Sequence, residues 1–184
     1  SQMTDAQDAW GQAMRDFHQG RPGSVVIERD DGYVDLDLSM AHYFSDFRHW
    51  GTADKTAIGL CRGRILDIGC GVGRHSLYLQ KKGFKVLSID ISPRAVDTCR
   101  LRGLKNVKPG TIDSIGRHVG DFETILMLGN NFGLFGNKYN ARRLLKRFHT
   151  VTTPDACIIA ESMDPYNTTN PDHLNYHKRN RSRG

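Results

Sequence analysis

A chain of 184 residues, 38% hydrophobic and 25% charged, is large enough to bury one core and too apolar to be disordered. No apolar run approaches the ~20 residues of a membrane-spanning helix, and the first residues have neither the basic start nor the apolar centre of a secretory signal, so a cytoplasmic location is expected. The net charge of +6 leans on Lys178, Arg179, Arg181 and Arg183; without them 22 cations face 20 acids, and so neutral a body argues against a nucleic-acid partner.

Within residues 1–20, Trp10, Met14 and Phe17 fall on one helical face, and Gly20, Pro22 and Gly23 end the pattern. Val25–Glu28 and Tyr33–Leu36 flank Asp30-Asp31-Gly32, which predicts a hairpin. Tyr43, Phe44, Phe47 and Trp50 then recur at helical spacing. This predicts an apolar helix face, with Phe44 and Phe47 packed on a sheet. Lys55–Leu60 reads as a helix leading into the first sheet strand.

The central stretch is Arg64–Leu79. Ile65, Leu66 and Ile68 make a short buried strand around Asp67. Gly69, Gly71 and Gly73 follow at alternate positions, and a helix begins after them. A pyrophosphate-binding turn has the spacing G-x-G-x-x-G. Here Arg74 stands at the third glycine's place, and the pattern is D-x-G-x-G-x-G. Asp67, read as facing the turn, would accept hydrogen bonds from a cationic amine. Such a turn suits a ligand with an amino-acid end and no pyrophosphate. Phe84–Asp90 reads as the next strand, and Asp90 stands where a carboxylate reaches ribose hydroxyls. Ser92 and Pro93 open a helix to Arg102, stopped by Gly103.

Lys105–Lys108 predicts a third strand, running into Gly110–Ser114. Phe122–Leu128 predicts a fourth, followed by the loop Gly129–Gly136. There Asn130 and Asn131 either hold the loop or present an amide to a ligand. Asn140–Thr150 is a basic amphipathic helix with Leu144, Leu145 and Phe148 inward. Ala156–Ala160 is the fifth strand, and Glu161, Asp164, Pro165 and Tyr166 at its end could line a pocket. His173 and His177 lie four apart without a third ligand, so no metal is expected. Cys61, Cys70, Cys99 and Cys157 are scattered, as reduced thiols in a core are.

Three stretches, Ile65–Gly73, Val86–Pro93 and Phe122–Asn131, resemble the class I S-adenosylmethionine-dependent methyltransferases over residues 55–165. The resemblance implies an α/β fold, a Rossmann-like three-layer sandwich with a parallel sheet of order 3-2-1-4-5. Residues 1–54 would form a helix, hairpin and helix cap over the cofactor site, 55–166 the methyltransferase core, and 167–184 a polar basic tail. The cofactor would be S-adenosylmethionine. Asp67, Gly69, Cys70, Gly71, Gly73 and Arg74 would hold it at the turn, with Asp90 and Ile91 at the ribose. Ile112 and Asp113 would flank the adenine, although Thr111 stands where an acid is commonest. Leu128 and Gly129 would contact it from the fourth strand.

Tyr43 and Asn130 are candidate catalytic residues, and His42, His49 and Tyr166 further candidate bases. The loop Asn130–Gly133 lacks the prolines of enzymes acting on nucleic-acid amines, so a small-molecule N or O acceptor is implied. The alternatives are a catalytically incomplete cofactor-binding module and an NAD(P)-dependent oxidoreductase. Too little chain follows the fifth strand for the family's last two strands. Either the chain is truncated, or a partner such as a second copy covers that edge.

Overall fold

The apolar run at Ile65–Ile68 lies at the centre of the molecule because both of its faces are covered; all four residues are buried. A computed structural model describes residues 3–36, 39–116 and 119–183. In chain order the elements are α1 (Ala9–His18), β1 (Ile27–Glu28), β2 (Val34–Asp35), α2 (Thr52–Gly59), β3 (Ile65–Ile68) and α3 (Arg74–Lys81). There follow β4 (Val86–Asp90), α4 (Pro93–Leu101), β5 (Val107–Pro109), β6 (Phe122–Met127), α5 (Lys138–His149), β7 (Thr152–Ala160) and α6 (Pro171–Arg183).

The main sheet has the order β5-β4-β3-β6-β7, with every neighbouring pair parallel. Counting only its own strands, this is the expected order 3-2-1-4-5. Parallel neighbours require crossovers, and these put helices on both faces. Side chains alternate accordingly. Leu66, Ile68, Ile125 and Met127 face Leu144 and Phe148 of α5. Ile65 and Leu126 face Trp50, Ile58 of α2 and Leu79 of α3. β7 is longer than expected and pairs with β6; among the described residues no strand lies on its other side.

Three local expectations are corrected. Residues 40–50 do not form one helix. They make two 3-10 turns, Met40–Phe44 and Phe47–His49, because Ser45 and Asp46 are extended, with ψ of 149° and 159°. The aromatic rings are used all the same. Phe44 packs on Phe17 at 5.0 Å, in a cluster without strand residues, while Phe47 stacks on Tyr78 at 4.4 Å against the cluster that includes Ile65 and Leu126 of the sheet. Leu145 is 47% exposed; the buried stripe of α5 runs through Leu144 and Phe148, and the next position turns away from it.

The C-terminal segment is not a free tail. It is helical over Pro171–Arg183 and packs on the β1–β2 hairpin. The Arg29 guanidinium sits 4.2 Å from the ring centres of both Tyr33 and Tyr176. Arg179 and Arg183 pair with Asp30 at 2.7 and 3.2 Å. Among the described residues no helix is long and apolar enough to cross a membrane.

Candidate functional site

The turn between β3 and α3 opens upward from the sheet's C-terminal edge. Its glycines take left-handed φ: 73° at Gly69, 54° at Gly71 and 80° at Gly73. Nothing lies within 4 Å of where a Gly71 Cβ would be, so bare backbone faces a cavity of about 1040 Å³. Asp90, at the end of β4, braces this turn. One carboxylate oxygen accepts the Gly71 N–H at 2.7 Å and the other the Ser92 N–H at 2.9 Å. Burial nonetheless raises the Asp90 carboxyl above its ordinary range, and its backbone hydrogen bonds offset only part of that.

Most of the residues assigned to the cofactor line this one cavity. Gly69, Cys70, Gly71 and Arg74 form its floor, with Asp90 and Ile91 beside them. Ile112 and Asp113 stand at one end, and Leu128 and Gly129 close it from β6. Tyr43 and Asn130 also line it, with Glu161 and Asp164; Pro165 and Tyr166 are not in its wall.

Two assigned residues do not line the cavity. Asp67 shares the face of β3 that carries Ile65, so its side chain runs under α3 and does not reach the turn. It is 3% exposed and accepts the Ser76 hydroxyl at 2.5 Å, while Ser76 and Ser88 are 2.7 Å apart. Burial raises its carboxyl, against the Ser76 hydrogen bond. Gly73 caps α3 and faces Cys99 and Leu104.

The two asparagines hold the loop. Asn131 Nδ2 donates to the Ile68 and Gly69 carbonyls, both at 3.0 Å. Asn130 has φ of 69°, and its Oδ1 accepts the Met163 N–H at 3.1 Å. Gly129 N–H donates to Glu161 at 2.8 Å. These bonds tie the ends of β3, β6 and β7 together around the cavity.

A polar cluster in the cavity wall joins residues that no sequence motif links. Asp54, on α2, accepts from Arg74 Nη2 at 2.8 Å and from His75 Nε2 at 2.7 Å. Arg74 Nη1 lies 3.1 Å from His42 Nε2. Arginine only donates, so His42 accepts there and carries its proton on Nδ1. The His75 hydrogen bond holds the Asp54 carboxyl below its ordinary value. Burial, then the Arg74 charge, lowers the His42 pKa, which keeps that imidazole neutral. Trp50 underlies the cluster, 4.7 Å from the His75 ring. Trp10 of α1 also lines the cavity, edge-on to Tyr43 at 5.0 Å. At the other end Arg143 of α5 pairs with Asp113 at 2.6 Å. No local pattern marks Asp54, Trp10 or Arg143 as site residues, since each arrives from a distant element. Among the described residues no group of three or more His, Cys, Asp or Glu side chains could hold a metal.

A parallel α/β sheet, a bare glycine turn and an acid at the end of the next strand define a nucleoside-binding α/β protein. Comparison with known proteins narrows this. The model of the family described as "Methyltransferase domain" matches residues 65–155. A SAM-dependent methyltransferase from Bacteroides fragilis, solved in complex with S-adenosyl-L-homocysteine, is similar with a TM-score of 0.80 and 29% identity, over 94% of this chain and 72% of its own.

Among curated proteins, a glycine/sarcosine N-methyltransferase from Halorhodospira halochloris is 33% identical over 107 residues, 53% of this chain and 39% of that protein. An S-adenosyl-L-methionine-dependent Diels-Alderase from Talaromyces variabilis is 34% identical over 98 residues, 50% of this chain and 33% of that protein. The chain belongs to the class I S-adenosylmethionine-dependent methyltransferase family. It spans less than two-fifths of the length of either curated relative.

Proposed function

We propose that the cavity over the glycine turn binds S-adenosylmethionine and that the protein transfers its methyl group to a small-molecule nitrogen or oxygen nucleophile. The observation that carries this reading is the joint placement of Asp90 and Gly71 on one cavity wall. The carboxylate has lone pairs left for ribose hydroxyls, and the missing Cβ leaves room for a ligand against the backbone. Ile91, Ile112 and Leu128 offer apolar contact to a base, and Asp113 stands beside them. Arg74, where a dinucleotide turn has its third glycine, speaks against the oxidoreductase reading.

When bound, this cofactor supplies a methyl group already activated by a sulfonium. The protein's part is then orientation and exclusion of water, for which ~7–11 kcal/mol is the upper range. Tyr43 and Trp10 wall the cavity from the N-terminal side. Burial raises the Tyr43 phenol, so at neutral pH its hydroxyl stays protonated and is no base. His42 Nε2 is occupied by Arg74, which makes it an orienting group as well. Residues 1–54 act as a cap over the core of 55–166, with 167–184 attached to the hairpin of that cap. A second copy covering β7 is the partner this reading expects.

Calorimetric titration with S-adenosylmethionine, S-adenosylhomocysteine and NAD tests the cofactor. The first two should bind, NAD should not, and Asp90→Ala should lose the binding. Formation of S-adenosylhomocysteine from pools of amine and hydroxyl acceptors tests turnover. Cofactor binding without turnover on any pool would favour the alternative, a binding module.

A further inference from the structure

Two thiols at the glycine turn take no part in the proposed methyl transfer. Cys70 lies between the first two glycines of the turn and lines the cavity. Cys99, on α4, is fully buried beneath it. Cys70 packs against the buried cluster that holds Cys99. Both also bear on one acceptor, the Gly71 carbonyl, 3.7 Å from Cys70 Sγ and 3.2 Å from Cys99 Sγ. Both are free thiols. Cys61 differs: burial pushes its thiol up to about 12, and it donates to the Ala57 carbonyl within its own helix turn.

We propose that Cys70 and Cys99 are a redox-active pair that closes to a disulfide under a peroxide-class oxidant, and that closure disables the cofactor turn. The second half rests on the proposed cofactor site. Cys70, reached through the cavity, attacks one peroxide oxygen as its thiolate; the O–O bond breaks, a sulfenic acid forms and one water leaves. Cys99 then attacks the sulfenic sulfur, the S–S bond forms and the S–OH bond breaks, releasing a second water. Two thiols lose two electrons and two protons, and hydrogen peroxide is reduced to two waters. The Cys99 thiol, burial and the carboxylates of Asp67 and Asp90 hold the Cys70 thiol above its usual range. Thiolate is therefore scarce, and closure is slow beside that of low-pKa sensor cysteines.

Closure acts on the peptide that the cofactor would touch. In the thiol form the Gly71 unit is gripped from both sides: Asp90 takes its N–H, and Cys99 donates to its carbonyl. An S–S bond of ~2.05 Å removes the second donor and draws the sulfurs together. α4 cannot yield, because Val96 and Cys99 are locked against Leu104 and Val107. The turn yields instead. A ligand lying on Gly71 would in return shield Cys70, so occupancy and closure oppose each other.

The test treats the full chain with hydrogen peroxide, blocks remaining thiols with N-ethylmaleimide and maps peptides by mass spectrometry. A dithiothreitol-reversible peptide linking Cys70 to Cys99 is expected. S-adenosylhomocysteine affinity should fall about tenfold or more, equal to ~1.4 kcal/mol, and return on reduction. Saturating S-adenosylhomocysteine should slow the link, and Cys99→Ser should form no linked peptide. Absence of the linked peptide in the wild-type chain overturns the pair. A linked chain of unchanged affinity overturns its effect on the turn. If the reduced chain binds no S-adenosylhomocysteine, the cofactor reading fails, while the peptide map still decides the pair.

Discussion

Asp8 accepts the Ser92 hydroxyl at 2.8 Å across 84 residues of chain. The same carboxylate takes the Gly11 N–H at 3.0 Å and the Arg94 N–H at 3.1 Å, while Ser92 Oγ takes the Ala95 N–H at 2.9 Å. One buried acid, 1% exposed, thereby serves the N-termini of α1 and α4 together, where unpaired N–H groups concentrate. α4 begins directly after Asp90, so this contact fixes α1, and with it Trp10, against the cofactor side of the sheet. Gly11 permits the approach: a Cβ there would collide with Ser92 Oγ and the Asp8 carboxylate.

Asp8→Ala should therefore cost more than an ordinary cap. A lost N-cap is worth ~1 kcal/mol, and each donor left buried without a partner adds ~1–3 kcal/mol. A total loss of about 2–4 kcal/mol is expected in urea unfolding, with Asp8→Asn recovering part of it. Cofactor affinity should fall too, because Trp10 loses its anchor. A loss within 0.5 kcal/mol, the scale of ordinary surface changes, would refute the shared-cap account.

Asp67 is predicted to be dispensable for the cofactor and costly for stability at neutral pH. Its carboxyl is raised by burial, so the folded state favours the protonated acid. The associated stability is present below the unfolded value near 3.8 and is lost as pH rises through the folded value. Asp67→Asn, which stays neutral, should stabilise the protein at pH 7, where the wild-type carboxyl is held against its burial. It should also flatten the stability profile above pH 4 and leave cofactor affinity near wild type. Urea melts across that range and one titration decide it; a large affinity loss would restore Asp67 to the site.

Asp54 has the opposite sign. Its carboxyl is lowered, chiefly by the His75 hydrogen bond, so its stabilisation holds above the unfolded value near 3.8 and disappears as pH falls through the folded one. Thermal melts of the wild type should drop on acidification in that window. Asp54→Ala should remove this part of the drop and destabilise at pH 7 by ~3–5 kcal/mol, the cost of leaving a buried cation unpaired. Arg74 and Asp54 side chains are only 9% and 10% exposed, so solvent screening offers little relief.

The Arg143–Asp113 pair should matter to binding and hardly to folding. Both side chains are substantially exposed, 44% and 54%, and such pairs contribute ~0–1 kcal/mol. Arg143→Ala should leave the melting temperature nearly unchanged. It frees Asp113 at the end of the cavity assigned to adenine, so S-adenosylhomocysteine affinity should shift several-fold. Equal affinity in the two chains would remove Asp113 from the adenine contact.

The sequence by itself determined the sheet's centre, the glycine turn and the acid at the end of β4. These follow from local chemistry: a short apolar run must be buried, positive φ needs glycine, and a strand end is set by the residues that form it. Tertiary structure alone decided which groups meet around the cavity. Asp67 lies two residues from Gly69, yet its face of β3 is the one α3 covers. Asp54, His75 and His42 become one cluster because α2, α3 and an N-terminal turn converge. Trp10 and Tyr43 come from the first quarter of the chain and reach the site through Asp8, Ser92 and the packing of α1 on α4. Cys70 and Cys99 are 29 positions apart, and they meet at the Gly71 carbonyl because α4 runs beneath the turn. Spacing along the chain encodes the period of an element; contacts between elements depend on how their buried faces pack, which no local pattern records.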